Sequence, residues 1–214
     1  MTRRALLAGS APIADRAWIA RQLERQRGPR LVIAANGGRR HLDALGIVPD
    51  VAIGDFDSAP RAPRGTAGRE LRHPREKDET DLELAFLHAF VTARAQEAVV
   101  IGALGARFDH TLTNLNLGAR WAKRGLSVTY LDGAMRVRFL TRSLALERDA
   151  QFDTVSLIPH SAAVRGIDTE GLAYPLRGGT LWRHRGRGVS NHLVARRGRI
   201  TATQGLLMVV ETRA

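Results

Sequence analysis

Two aspartates separated by a single residue, Asp55 and Asp57, lie in Gly54-Asp55-Phe56-Asp57-Ser58, directly after the apolar run Val51-Ala52-Ile53. If that run is a strand, both carboxylates leave its carboxyl end, which is where open α/β sheets bind ligands. Paired aspartates there suit a hard cation such as Mg²⁺, which takes oxygen ligands and leaves positions for substrate phosphates. An ordinary turn with solvated aspartates has the same spacing, and spacing alone does not separate the two. A second acidic segment, Glu76-Lys77-Asp78-Glu79-Thr80-Asp81, reads either as a solvated helix start or as the source of a third carboxylate, with Lys77 placed to neutralise phosphate oxygens. A third segment, Gly102-Ala103-Leu104-Gly105-Ala106-Arg107-Phe108-Asp109-His110, is a glycine-rich turn of the kind whose backbone N–H groups bind phosphate. Its glycine spacing is neither the dinucleotide fingerprint nor a P-loop. Gly37-Gly38 offers another phosphate-approach turn or a plain sharp turn, and Gly188-Val189-Ser190-Asn191 has the residues of a β-turn.

These segments need a scaffold. Ala5–Ala8, Leu31–Ala34, Val51–Ile53, Ala98–Ile101 and Val128–Leu131 read as buried strands. Helical patterns lie between them near Ile13–Arg27, Arg39–Leu45, Asp81–Arg94 and His110–Arg124. The alternation predicts a mainly parallel sheet with helices on its faces. Thr80 with Glu83 forms a capping box for the third helix, and Asp109 is placed to cap the fourth. After Gly133 the texture changes to short apolar runs split by glycines. The runs are Val137–Leu140, Thr154–Ile158, Leu172–Tyr174, Val189, Leu193–Ala195, Ile200–Thr203 and Leu206–Val210, and they predict a small antiparallel sandwich or barrel. The boundary falls at Asp132–Ala134, giving domains 1–133 and 134–214.

Composition narrows the classes. With 44% hydrophobic and 25% charged residues in 214, the chain has the make-up of an ordinary globular protein rather than a disordered one. It has no cysteine, which excludes disulfides, thiolate metal sites and thiol nucleophiles and fits a cytoplasmic location. No apolar run approaches the ~20 residues of a membrane-crossing helix. The basic, briefly apolar N-terminus is broken by Gly9, Ser10 and Pro12 and reads as a first buried strand rather than a signal peptide. The net charge of +12 raises a nucleic-acid-binding module as a rival. Against it stand the acidic cluster of Asp55, Asp57, Asp78 and Asp81 and an aromatic content of only 5%, which leaves few bases a platform.

Taken in order, the segments resemble the thiamine pyrophosphokinase family. The matching pieces are Ala35-Asn36-Gly37-Gly38, Gly46-Ile47-Val48-Pro49-Asp50 running into Gly54–Ser58, Glu76–Asp81 and Gly102–His110. Further on come Ser156-Leu157-Ile158-Pro159, Thr169–Leu176 and Gly188–Asn191. The resemblance implies an N-terminal α/β domain that binds ATP, a C-terminal β-sandwich that holds thiamine, and a homodimer with shared active sites. It implies a diphosphoryl transfer from ATP to thiamine. Asp55, Asp57 and Asp78 would organise Mg²⁺ and the phosphates. Gly37, Gly38, Lys77, Thr80, Asp81, Arg107 and Asp109 would serve the nucleotide, with Tyr174 stacking on thiamine and Ser190 and Asn191 bonding its pyrimidine. A pyrophosphokinase for another alcohol, such as a hydroxymethylpterin, would share the donor residues; Tyr174, Ser190 and Asn191 lean to thiamine. A family member that binds thiamine without turnover is a third reading, prompted by Asn36. The chain departs from the pattern in three places. Asn36 stands where the family usually has Asp. Arg39 and Arg40 replace a small residue and an amide, and either reach the ATP phosphates or are solvated. His192 stands where an acid is frequent.

Overall fold

A computed structural model describes residues 3–26, 31–56, 68–105 and 107–213. Among these, one compact unit runs to Trp121 and resumes over Gly125–Gly133, and a second takes Ala122–Arg124 and the chain from Ala134 onward.

The first unit alternates strand and helix: β1 (Arg4–Ala8), α1 (Arg16–Arg25), β2 (Leu31–Ala35), α2 (Arg39–Ala44), β3 (Val51–Gly54), β4 (Arg69–Arg72), α3 (Asp81–Leu87), β5 (Glu97–Ile101), α4 (Phe108–Ala122) and β6 (Ser127–Leu131). The six strands lie in the order β4-β3-β2-β1-β5-β6 and every pairing is parallel. β1, β2 and β3 are buried almost throughout because helices cover both faces of such a sheet, and this is why they are continuous apolar runs in the sequence. β4 escapes that pattern. It is the edge strand Arg69-Glu70-Leu71-Arg72, almost fully exposed, and charge on an open edge discourages further pairing.

The helix starts differ from the sequence expectation in detail. α1 begins at Arg16 rather than Ile13, capped by Asp15, whose carboxylate accepts from Trp18 N at 2.8 Å. At α3 the Thr80 hydroxyl accepts from Glu83 N at 3.2 Å. The Glu83 carboxylate does not complete the box and instead pairs with Arg120 at 2.6 Å. Past Leu87 this helix widens into a π-helical turn over His88–Thr92. α4 starts at Phe108, so Asp109 lies inside its first turn and is not its cap.

The second unit is antiparallel: β7 (Met135–Leu140), β8 (Ser143–Glu147), β9 (Thr154–Pro159), β10 (Ala163–Glu170), β11 (Gly179–Trp182), β12 (Arg197–Thr201) and β13 (Leu207–Thr212). β7, β13 and β9 pair in that order, and β11, β10, β12 and β8 form a four-stranded sheet. Side chains from both sets, among them Leu140, Leu157, Val209, Val164, Leu181 and Ile200, form one core, as in a sandwich. The expected runs at Leu172–Tyr174 and Leu193–Ala195 are not strands; they meet in a single bridge, Leu172 to Leu193. β8, β10 and β11 are the strands that the apolar runs do not announce.

On β13 the core-facing alternation Leu207, Val209 ends in a carboxylate, Glu211, only 2% exposed. Arg136, its register partner on β7, grips it through two bonds of 2.7 and 2.6 Å, and Arg138 adds a third at 2.7 Å. A buried charge gripped in this way is costly to orphan. Glu211→Gln is expected to lower stability by about 3 kcal/mol, since it leaves two buried guanidinium groups short of their counter-ion. Urea denaturation checks this, and an unchanged midpoint would mean that water already screens the cluster.

Candidate active site

The chain runs outward from β1 through β2 and β3 to β4, then crosses back to β5 and β6 on the other side. The direction reverses between β1 and β5, and a crevice opens there beyond the carboxyl ends of the strands. In this unit it is a cleft of about 650 Å³. Its walls come from the loop after β1 (Gly9–Pro12), the ends of β2 and β3 (Asn36, Asp55), the stretch Arg75–Leu82 and the β5–α4 turn with Arg107.

Backbone contact holds the floor together. Gly9 N donates to Ile101 O and Ala11 N to Gly102 O, both at 2.8 Å. A Cβ on Gly102 would lie 2.4 Å from Gly9 O, and one on Gly38 would lie 1.8 Å from Ala8 O. Gly38 is therefore needed for close packing of the β2–α2 turn on β1; neither it nor Gly37 lines the cleft. His41 sits in the same seam, 2% exposed, and its Nε2–H donates to Ala11 O at 2.8 Å. Burial, together with the charges of Arg40 and Arg16, outweighs that bond and keeps the imidazole below its ordinary pKa.

Asp55 leaves β3 into the cleft, and Asn36 Nδ2 donates to its Oδ1 at 3.3 Å. Asn36 itself has φ 45°, a left-handed conformation that asparagine tolerates better than most residues. Lys77 Nζ lies 3.0 Å from Asp81 Oδ1 with both side chains mostly buried. This buried oxygen thus has a cation beside it. Thr80 and Glu79 also line the cleft. Arg107 lines it too, and forks onto Asp109 at 2.5 and 3.2 Å. That fork and the His110 N–H hold the Asp109 carboxyl at about 2, although the pair is exposed and Asp109 does not itself line the cleft.

Of the expected donor-site residues, Asp55, Lys77, Thr80, Asp81 and Arg107 come together in the cleft. Asp78 is exposed and outside its lining, and Asp57 lies outside the described residues. Among the described residues no three His, Asp or Glu converge as a metal cage. Sequence reasoning missed the Gly9–Pro12 loop, where glycine and proline were read only as the end of an apolar run. It also missed Arg75, Glu79, and Asn114, whose buried amide donates to Ala103 O at 2.7 Å.

In the second unit Asn191 is buried. Its Oδ1 accepts from Tyr174 N at 3.0 Å and His192 N at 2.9 Å, and its Nδ2 donates to Tyr174 O at 2.8 Å. It thus ties the Tyr174 turn to the turn that carries Ser190, whose N donates to Ser156 Oγ at 3.1 Å. Tyr174 stays 68% exposed with its ring edge-on to His192 at 6.0 Å. Tyr174 and Ser190 are both presented to solvent on this scaffold.

A switch-point cleft with cations on its walls and carboxylates between them is equipped for phosphate groups and the hard cations that accompany them, the requirement of a phosphotransferase. Comparison with known proteins narrows that class. Residues 25–130 match the family model "Thiamin pyrophosphokinase, catalytic domain", and residues 142–207 match "Thiamin pyrophosphokinase, vitamin B1 binding domain". The thiamine pyrophosphokinase of Bacillus subtilis (strain 168) is 29% identical over 182 residues, 80% of this chain and 81% of that protein. Among solved structures, thiamine pyrophosphokinase from Bacillus subtilis superposes with a TM-score of 0.85 at 24% identity, covering 99% of both chains. The enzyme from Geobacillus thermodenitrificans does so with a TM-score of 0.80 at 26% identity, covering 99% and 98%. The chain belongs to the thiamin pyrophosphokinase family.

His41 gives the seam a pH signature. Its folded pKa is lowered, so as pH falls below the ordinary 6.5 the unfolded chain takes up a proton that the folded chain refuses, and stability drops. His41→Gln keeps a donor for Ala11 O but cannot titrate. Urea midpoints measured from pH 7.5 to pH 5.5 should fall less steeply in this variant than in the wild type; equal slopes would remove His41 from the account.

Proposed function

We propose that the protein transfers a diphosphoryl group from ATP to thiamine, yielding thiamine diphosphate and AMP. The observation that carries this reading is the cleft at the β1/β5 switch point, where Asp55 and Asp81 stand among Lys77, Arg107 and Arg40 inside the segment that matches the family's catalytic domain. Mg²⁺ fits the residues present. The carboxylates that line the cleft, Asp55, Glu79 and Asp81, are hard oxygen donors of the kind it takes. Asp55 and Asp81 would hold the ion, with Asp57 adjoining by sequence; Asp81 would take the part that the family resemblance gives to Asp78. When bound, the ion would offset the negative charge that spreads over phosphate oxygens during transfer.

The chain's own residues do the positioning. Lys77 and Arg107 neutralise phosphate oxygens, and the Arg107–Asp109 fork fixes the guanidinium in one orientation. The Gly9–Pro12 and Gly102–Gly105 turns let the nucleotide approach the backbone closely. On the second unit, the exposed Tyr174 ring offers a stacking face and Ser190 a hydroxyl, both held by Asn191. We place the working enzyme in the cytoplasm as a homodimer, in which the acceptor surface of one chain serves the cleft of the other.

Two experiments test this. Protein mixed with ATP, Mg²⁺ and thiamine should form AMP and thiamine diphosphate in equal yield, and only with the metal present. Unaltered thiamine from folded protein would reject the reading. Asp81→Asn should lower kcat by about 100-fold or more, the scale of losing several kcal/mol of charge stabilisation, with the fold intact by circular dichroism. Turnover near the wild-type value would remove Asp81 from the site.

A further inference from the structure

Four cations line the cleft, and they are not equivalent. Lys77 is paired with Asp81 at 3.0 Å, and Arg107 is forked onto Asp109. Arg40 and Arg75 pair with no carboxylate among the described residues. The Arg40 guanidinium donates to the carbonyl of Ser10, in the loop that ends β1, and its other N–H groups are unused there. Arg75 is exposed on the stretch that leads to α3. The cleft also contains Asp55, Glu79 and Asp81, three carboxylates that oppose a polyphosphate. Their field is met by cations whose charge is not already spent on a neighbour. Guanidinium suits this use because it stays charged and its fork matches two phosphate oxygens at once.

We propose that Arg40 and Arg75 form a phosphate clamp that sets the cleft's preference for a polyphosphate nucleotide over a monophosphate; this rests on the reading of the cleft as the ATP site. Arg40 supplies an anchored cation next to the switch-point loop, and Arg75 a second one from a different element. The clamp is assigned to the β and γ groups, which a monophosphate nucleotide lacks. It favours ATP at the start of the reaction and lets AMP go at its end.

The clamp makes a prediction that a merely structural role does not, because it separates ATP from AMP. Isothermal titration of ATP and of AMP into wild type, Arg40→Gln, Arg75→Gln and Arg40→Lys, without Mg²⁺ and at two salt concentrations, reads it directly. ATP affinity should fall about tenfold in each Gln variant, the usual scale for one charge-assisted contact, while AMP affinity stays within about twofold. The salt dependence of ATP binding should weaken in step, and Arg40→Lys should keep part of the ATP affinity. If ATP and AMP weaken together in Arg40→Gln, Arg40 only braces the Ser10 loop and the clamp is wrong. Unchanged ATP affinity in both Gln variants overturns it as well. The AMP titration shows whether each variant is folded. Wild type that binds neither nucleotide, with or without Mg²⁺, would overturn the reading of the cleft and the clamp with it, a result distinct from the clamp's own failure.

Discussion

Everything in the cleft depends on three loops meeting backbone to backbone. The ends of β1 and β5 touch through Gly9 and Gly102, and the turn after β2 presses Gly38 onto the carbonyl of Ala8. Any side chain at Gly38 or Gly102 would occupy space that a carbonyl already fills. The contact leaves the β1 loop beside the β5–α4 turn at the point where the sheet changes direction, while the β2–β3 register sets Asn36 next to Asp55 at the ends of adjacent strands. His41 sits in the seam as its side-chain pin, bonded to Ala11 and occupying the room that Gly102 leaves open.

Electrostatics in the cleft is a matter of pairing rather than total charge. Asp81 is tolerable in its mostly buried position because Lys77 stands 3.0 Å away, and each would be costly there alone. At Asp55 the neighbour is an amide, Asn36, which donates a hydrogen bond without adding charge. Arg107 is held by Asp109, an exposed pair whose worth is orientation more than stability. The chain's excess of +12 is concentrated elsewhere: Gly171–Val210, in the second unit, contains seven arginines and no Asp or Glu. Net charge is thus a poor guide to what this cleft binds, and the uncommitted cations on its walls are a better one.

The α/β half is legible in the sequence because a strand buried on both faces has to be apolar along its whole length. β1, β2, β3, β5 and β6 all meet that condition to within a residue or two. β4 does not, because an exposed parallel edge carries no such constraint. In the sandwich each strand has one buried face, so β10 reads Ala-Val-Arg-Gly-Ile-Asp-Thr-Glu, an alternation that charged residues and a glycine blur. Motifs that combine acid, glycine and a helix cap locate most of the cleft. The Gly9–Pro12 loop is invisible to that approach because its part is played by backbone atoms, and backbone atoms leave no side-chain signature. Asn191 shows the converse. Its residue type suggests a ligand contact, but both ends of its amide bond the Tyr174 backbone, so it shapes the surface that Tyr174 and Ser190 present.

The choice between Asp78 and Asp81 shows where sequence spacing stops being informative. Both acids belong to one short segment, and either fits a site that wants another carboxylate near Asp55. The feature that separates them structurally is the helix cap. The Thr80 hydroxyl takes the Glu83 N–H and starts α3 at the next residue, which makes Asp81 the first helical position and fixes its backbone. Lys77, four residues back in the non-helical stretch before the cap, brings its ammonium onto Asp81. Asp78 precedes the cap, has no such fixed frame, and is exposed. On the proposed reading of the cleft, the carboxylate that serves it is the one whose backbone is held by the cap and whose charge is matched by Lys77, and in this segment that is Asp81.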